Sequence, residues 1–449
     1  MRGLQEGCHG IRRHERCNTS AHREESQRTS RFPRDRELPT VKALSRYVRL
    51  SHAPSASLVA YKTSADVVSK TVTLIVTVAA ARTLAPGDFG VMALAMTTGW
   101  LLGVASDAGL PMYLATRLAR ARAAGQPEYP LAQAALHWRS RLAAAAAIGA
   151  VLAGAWLVPL PTLAAFTLIV LHQLFGAMLE TIGHAFRGLG RTDIESSLSL
   201  AHRGAVALTA LAVLATRPSL LALGIALAVP PLAATIAARA VLKRIAEDGP
   251  PTALTARDFL TNIAPLGAGV LLSALYFRCD VYFLERLHGV ELVGLYNAAF
   301  RIVDALRLFP AALLAVAYPM MCAATDYRRV VRISNLLLVA SGLVGVTLYL
   351  TAPELLALVY GSNFASAGQA LRVLALCVPF FYVNYALTHQ LIAWGHERRF
   401  LWIACAALVA NLAGNALLIP DGGMAGAAIS TLGTEVVVFV GALVALVRR

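Results

Sequence analysis

From about Leu58 to Leu446 the chain alternates long apolar runs with short polar breaks. Few of the runs carry the regular polar face that a soluble fold of this length needs. Each is roughly long enough to cross ~30 Å of hydrocarbon. Twelve runs are drawn, at approximately 58–82, 89–109, 139–158, 162–184, 197–215, 219–241, 259–283, 292–318, 332–352, 369–393, 399–419 and 424–446. Several are rich in Ala, Gly and Leu, which lets helices pack closely in lipid. Proline falls near predicted ends or kinks at Pro86, Pro111, Pro159, Pro310, Pro353, Pro379 and Pro420. Pro230 and Pro231 lie inside the sixth run and are expected to break or bend it. The pattern predicts an all-α membrane protein.

Charge fixes the orientation. The basic breaks are 111–141 (Arg117, Arg120, Arg122, Arg139, Arg141), 187–203 (Arg187, Arg191, Arg203), 239–257 (Arg239, Lys243, Arg244, Arg257), 328–332 (Arg328, Arg329, Arg332), 396–399 (Arg398, Arg399) and the terminal Arg448-Arg449. The alternate breaks, 83–88, 159–161, 216–218, 284–291, 353–368 and 420–423, are short and poor in Lys and Arg. Positive loops stay in the cytoplasm, so both termini are expected there, and the unbroken alternation supports an even number of spans. The chain is 57% hydrophobic and 14% charged, against about 25% charged in soluble domains. Its net charge of +15 follows the topology signal, so it is not read as a nucleic-acid surface.

Residues 1–55 form a basic head, poor in aliphatics and expected to be disordered. The head has no apolar stretch of the signal-peptide kind. It is either a cytoplasmic tail near anionic headgroups or an extension ahead of a start further downstream. Cys8, His9, His14 and Cys17 have irregular spacing, and a solvated tail is preferred over a zinc set. The six cysteines make no disulfide framework.

The two halves resemble each other at an offset of about 204. Arg82 to Ala95 reads R-T-L-A-P-G-D-F-G-V-M-A-L-A, and Arg286 to Ala299 reads R-L-H-G-V-E-L-V-G-L-Y-N-A-A, which pairs Gly90 with Gly294. Phe186 to Arg191 follows the fourth run and Ile392 to Arg398 the tenth, which pairs Gly190 with Gly395. Six spans per copy is an even number, so the copies are parallel, with a pseudo-twofold along the membrane normal. The expected architecture is two six-helix bundles, 56–245 and 246–449, around a central cavity.

Several short motifs fall in a telling order. They are R-x-L-x-P-x-D-F-G-x-x-A-L-A (Arg82 to Ala95), S-D-x-G-L (Ser106 to Leu110), V-G-L-Y-x-x-A-x-R (Val293 to Arg301), Y-G-x-x-F-x-x-A (Tyr360 to Ala367) and G-x-x-G-A-A (Gly423 to Ala428). Over about residues 56–447 the chain resembles the polysaccharide-biosynthesis flippases, which include O-antigen and exopolysaccharide repeat-unit flippases. These belong to the multidrug/oligosaccharidyl-lipid/polysaccharide exporter superfamily. The resemblance implies alternating access between two bundles. It also implies a cargo, an undecaprenyl-diphosphate-linked oligosaccharide, turned from the cytoplasmic to the periplasmic leaflet of a bacterial inner membrane. Further implications are no cofactor, no ATP-binding domain, and a polysaccharide polymerase and chain-length regulator as partners. The chain has no G-x-x-x-x-G-K-[ST].

A carrier for that cargo needs cations inside the bilayer to hold a diphosphate. Ionisable residues within spans cost ~2.5–3.5 kcal/mol each and are usually functional. The expected cavity cations are Arg301, Arg307, Lys70, Arg278 and Arg203; the expected coupling or pairing acids are Asp66, Asp280, Asp304 and Glu435. Asp66 and Lys70 are four apart and share a helix face. Arg301, Asp304 and Arg307 are three apart and make one polar stripe. The competing reading of that stripe is a helix-packing network. Arg82, Arg203 and Arg372 lie near span ends, where snorkelling to headgroups competes. Arg278 and Asp280 are placed toward the outer end of the seventh span, where a structural ion pair with the eighth competes. Asp107, Glu180, His172, His184, His202 and His389 complete the set, the histidines read mainly as packed polar contacts. Asn411 and Asn415 share a face of the eleventh span and are read as interhelical glue.

Two other functions remain. A cation-coupled multidrug exporter of the multidrug and toxin extrusion type favours an acidic cavity, and these spans are rich in arginine. A membrane glycosyltransferase or polymerase needs a long outer loop with catalytic groups, and the longest outer break, 353–368, holds only Glu354. No catalytic residue or metal site is assigned.

Overall fold

The structure, a computed structural model, describes residues 56–251, 264–307, 309, 310, 327–394 and 396–447. The basic head, Cys322, Gly395 and Arg448-Arg449 lie outside the described residues. So do the side chains of Asp66, Lys70, Arg328, Arg329 and Arg332. All described elements are helices. The first half contains α1 (Ala56–Thr83), α2 (Pro86–Asp107), α3 (Leu110–Ala123), α4 (Tyr129–Leu157), α5 (Leu160–Gly188), α6 (Thr192–Thr216) and α7 (Leu220–Ile245). The second contains α8 (Ala264–Arg278), α9 (Asp280–His288), α10 (Val290–Leu306), α11 (Tyr327–Tyr360), a 3₁₀ turn (Ser362–Ala367), α12 (Gly368–Ala393) and α13 (Glu397–Val447).

Among the described residues nine helices are long and apolar enough to cross a membrane. One of them, α13, is two antiparallel arms. The chain reverses at Gly423 (φ 50°, ψ −128°), and Arg399 Nη1 at the start of one arm donates to the Ala445 carbonyl near the end of the other at 2.6 Å. With α1 and α10 the crossings number twelve, as the hydropathy predicts. The seventh crossing is α8 and α9, meeting at Cys279.

Proline starts several of these helices. It occupies the first turn of α2, α3, α4 and α5, where its missing N–H costs no bond. Asp88 adds a negative charge at the positive end of α2.

Three local expectations are corrected. The predicted loop 111–141 is largely helical. α3 buries Leu110, Leu114 and Leu118 against α4 and α5 and turns Arg120 and Arg122 outward. α4 then starts at Tyr129 rather than near 139. The outer break expected at 353–368 is shorter, because α11 runs through Pro353 to Tyr360. Finally, Pro230 and Pro231 do not break α7. Their missing N–H groups free the carbonyls of Ala226 and Leu227. Thr209 Oγ1 donates to the Ala226 carbonyl at 2.8 Å, and His172 Nδ1 bonds the Leu227 carbonyl at 2.8 Å. Neighbouring helices replace the lost bonds, so the helix continues.

The helices of the two halves pair alike. In the first half α1 packs on α6, α2 on α5, α4 on α5, and α5 on α7. In the second, α8 and α9 pack on α13, α10 on α12, α11 on α12, and α12 on α13. These are the same span-to-span pairings displaced by six, the architecture of two parallel bundles. The boundary drawn at 245/246 lies between α7 and α8, where residues 252–263 are outside the described set.

The halves meet mainly through α2, which packs on α10 and α8. A Cβ on Gly90 would stand 2.0 Å from the Val290 carbonyl oxygen, and one on Gly294 would stand 3.2 Å from the Gly90 Cα. Gly90 and Gly294 are repeat equivalents. Equivalent residues can touch only beside the symmetry axis, so this pair marks the pseudo-twofold. Around it, Phe89 packs edge-on against Phe364, and Arg82 Nε donates to the Val359 carbonyl at 2.8 Å while its Nη2 donates to the Leu358 carbonyl. These contacts close the seam at the end of the molecule opposite Ala56 and Val447.

Candidate functional site

Helices α8, α10 and α12 bring aromatic and charged side chains together at mid-membrane depth. Arg278 is the last residue of α8, ten residues short of the end of the crossing at His288. At 1.5 Å per residue that is about 15 Å, half of the hydrocarbon thickness. Its expected place near the outer end is thus corrected: the crossing extends to His288 rather than ending near 283. Asp304, on α10, reaches a similar depth.

One carboxylate serves two guanidinium groups. Asp304 Oδ2 lies 3.6 Å from Arg278 Nη2, and Asp304 Oδ1 lies 3.7 Å from Arg307 Nη1. Both separations exceed the 2.7–2.9 Å typical of charge-assisted hydrogen bonds. The Arg278 side chain is 6% exposed, Asp304 27% and Arg307 32%. Arg278 Nη1 is buried without a hydrogen-bond partner. Aromatic faces hold the cations instead. The Arg278 guanidinium lies 4.2 Å from the Phe300 ring centre, and that of Arg307 lies 4.2 Å from Phe277 and 5.0 Å from Phe381. Such contacts contribute about 0.5–2 kcal/mol each, more when water is excluded. Tyr382 fixes the end of α10 by donating to the Leu306 carbonyl at 2.7 Å.

Arg301 is half-buried, within electrostatic range of Asp304, Arg278, Tyr360 and, across the seam between the halves, Arg203. Arg203 Nη1 contacts Thr73 Oγ1 at 3.4 Å. With His172 and Thr77 it lines a cavity of about 20 Å³ between α1, α2, α5, α6 and α7, room for one water-sized occupant. Arg203 thus lines a small first-half cavity, and the second-half arginines group at Asp304.

The acids separate into two kinds. Asp280 is buried and committed: its Oδ2 accepts from the Tyr296 hydroxyl at 2.6 Å and its Oδ1 from the Val281 N–H at 2.9 Å. Glu435 is buried on the second arm of α13 and accepts from Asn384 Nδ2 at 2.7 Å. Asp304 is the partly exposed one. Asp66 and Lys70 lie on α1, with side chains outside the described residues.

Residues 58–324 match the sequence profile of the polysaccharide biosynthesis protein family. The chain belongs to that family. No curated protein matches it. Among solved structures, this polysaccharide biosynthesis protein resembles an inward-facing MATE-family multidrug resistance transporter of the MOP superfamily, with TM-score 0.65 and 15% identity over 84% of this chain and 94% of the other. It also resembles a Vibrio cholerae MATE transporter (TM-score 0.63, 16% identity, 91% and 98% covered). A MOP superfamily transporter from Pyrococcus furiosus, described as having a binding pocket of reverse polarity, gives TM-score 0.60 at 16% identity, with 92% and 98% covered. At these identities the likeness establishes the fold.

Other polar groups of the family member are packing elements. Asn411 Nδ2 donates to Thr434 Oγ1 at 3.0 Å, and Asn411 Oδ1 accepts from Cys279 Sγ at 2.9 Å and from Asn415 Nδ2 at 2.7 Å. Arg372 is exposed on α12, beside Tyr349. His389 stacks on Tyr385 with ring centres 4.1 Å apart. One ion pair with a buried arginine escaped the sequence reading. Arg139, assigned there to a loop, is 0% exposed and contacts Asp107 Oδ1 at 2.7 Å through Nη2, with Thr181 Oγ1 at 3.3 Å from its Nε. The overlooked signal was Ala132, Ala135 and Leu136, seven, four and three residues earlier, which put Arg139 on a buried helical face.

Proposed function

We propose that this protein carries an undecaprenyl-diphosphate-linked oligosaccharide across the bacterial inner membrane, from the cytoplasmic to the periplasmic leaflet, during surface polysaccharide biosynthesis. The observation that carries this reading is the arginine group of the second bundle: Arg278, Arg301 and Arg307 share a mid-membrane site with Asp304 as its partly exposed acid. A diphosphate meets there the charge it needs to leave water, and Arg203 extends that charge to the other half. Phe277, Phe300 and Phe381 keep the guanidinium groups in place without neutralising them. Family membership supports the polysaccharide assignment, and the MOP-type fold supports export by alternating access rather than catalysis.

In this reading the termini are cytoplasmic and the closed Gly90–Gly294 end is periplasmic. Cargo enters from the cytoplasmic side, and release requires that seam to part. A polymerase and a chain-length regulator consume the product. The test is polysaccharide display in a strain lacking the chromosomal copy. Arg301→Ala and Arg307→Ala are expected to abolish display with membrane protein level unchanged. Normal display from both variants would remove the site assignment.

The MATE-like fold keeps a cation-coupled multidrug exporter as the second reading. Sensitivity of the deletion strain to cationic dyes, with intact polysaccharide, would establish it instead.

A further inference from the structure

The arginine site holds an anion of its own, and its geometry suggests a temporary one. Asp304 offers one oxygen to each of two guanidinium groups, at 3.6 and 3.7 Å. Those separations supply countercharge without a close hydrogen bond. Arg278 is almost wholly buried, yet its Nη1 has no partner. An unmade bond on a buried charged group is costly, and a ligand that makes it recovers that cost. Asp280, the other nearby acid, cannot take this role, because Tyr296 and the Val281 N–H hold both its oxygens. Asp304 is also the more accessible of the two, since Asp280 is buried.

We propose that Asp304 is an exchangeable counter-anion: in the empty carrier it holds the place between Arg278 and Arg307 that a bridging phosphate group of the cargo takes. The proposal rests on the cargo reading above and deepens it by naming the residue that competes with the cargo. It has a consequence for selectivity. An anion that reaches only one guanidinium leaves Asp304 on the other and gains little. One whose oxygens span both, as a diphosphate's do, displaces the carboxylate fully and also satisfies Arg278 Nη1. Once displaced, Asp304 is a carboxylate beside a bound anion, and that repulsion favours release when the site opens outward.

The experiment uses the full chain in nanodiscs of zwitterionic phosphatidylcholine, with inorganic pyrophosphate as probe and orthophosphate as comparison, read by calorimetry and by melting temperature. The parent is expected to bind pyrophosphate more tightly than orthophosphate. Asp304→Asn removes the competing charge and is expected to bind pyrophosphate about tenfold more tightly, ~1.4 kcal/mol. Asp304→Glu, whose longer side chain closes both contacts, is expected to bind more weakly than the parent. If Asp304→Asn is unstable alone, pyrophosphate should restore its melting temperature by replacing the missing countercharge, and a variant that pyrophosphate fails to restore counts against the idea. Arg278→Gln and Arg307→Gln are expected to lose binding. Loss in both arginine variants, with Asp304→Asn no tighter than the parent, would overturn the counter-anion role and leave the arginine site standing. Unchanged binding in the arginine variants, or no pyrophosphate binding by any protein, would overturn the cargo reading itself.

Discussion

At the scale of single residues, the charged groups among the described residues differ in how closely they are paired. Arg139 and Asp107 meet directly at 2.7 Å, although Arg139 Nη1 makes no hydrogen bond. Removing Arg139 strands Asp107, which is 26% exposed, at a cost below the about 3–5 kcal/mol of a fully buried pair. Arg139→Ala is therefore expected to reduce the folded fraction sharply in detergent, measured by fluorescence-detected size exclusion. Adding Asp107→Asn to it should recover part of the loss. His172 has a different structural task. It bonds the carbonyl that Pro231 leaves free, so His172→Ala should cost about 1–3 kcal/mol as an unmet acceptor, seen as a lower melting temperature. The sequence shows a histidine in an apolar run and, far away, two adjacent prolines. Nothing local joins them, because the bond spans 55 positions of sequence. The i, i+3 stripe of Arg301, Asp304 and Arg307 is readable from spacing alone. The partnership of Arg278 with Asp304 is not, since it depends on how two helices are rotated against each other.

At the scale of elements, hydrophobic length located the twelve crossings well, because lipid permits few alternatives to a helix. It failed where helices are amphipathic. α3 and the first turns of α4 contain enough arginine to look like a loop, yet Leu110, Leu114 and Leu118 recur every fourth residue and are fully buried. Leu114→Ala is expected to cost about 2–5 kcal/mol as a cavity under α3. Limited proteolysis should then cut near Gly125 faster than in the parent. Proline, too, acts beyond its own helix. Its effect depends on whether a neighbouring side chain reaches the freed carbonyl, which a single-helix argument leaves out.

At the scale of the whole molecule, the duplicated sequence gave the parallel arrangement, but only the structure shows that two duplicated glycines meet. The proposed transport cycle needs this contact to separate. In Gly90→Val the added side chain has no room against the Val290 carbonyl, so the seam should be forced apart. A cysteine in place of Phe364, which packs on Phe89 in the seam, should then react faster with a membrane-impermeant maleimide than it does with Gly90 intact. An equal rate in the two backgrounds would argue that the closed end does not pivot there.

The turns at that closed end are spare. Leu84 and Ala85 join α1 to α2, Val158 and Pro159 join α4 to α5, Arg217–Ser219 join α6 to α7, Gly289 alone joins α9 to α10, and Gly423 turns α13 back on itself; only the Ser362–Ala367 turn is longer. That side of the molecule consequently offers a protease little extended chain. Epitope insertions at those turns should disrupt the protein rather than label it.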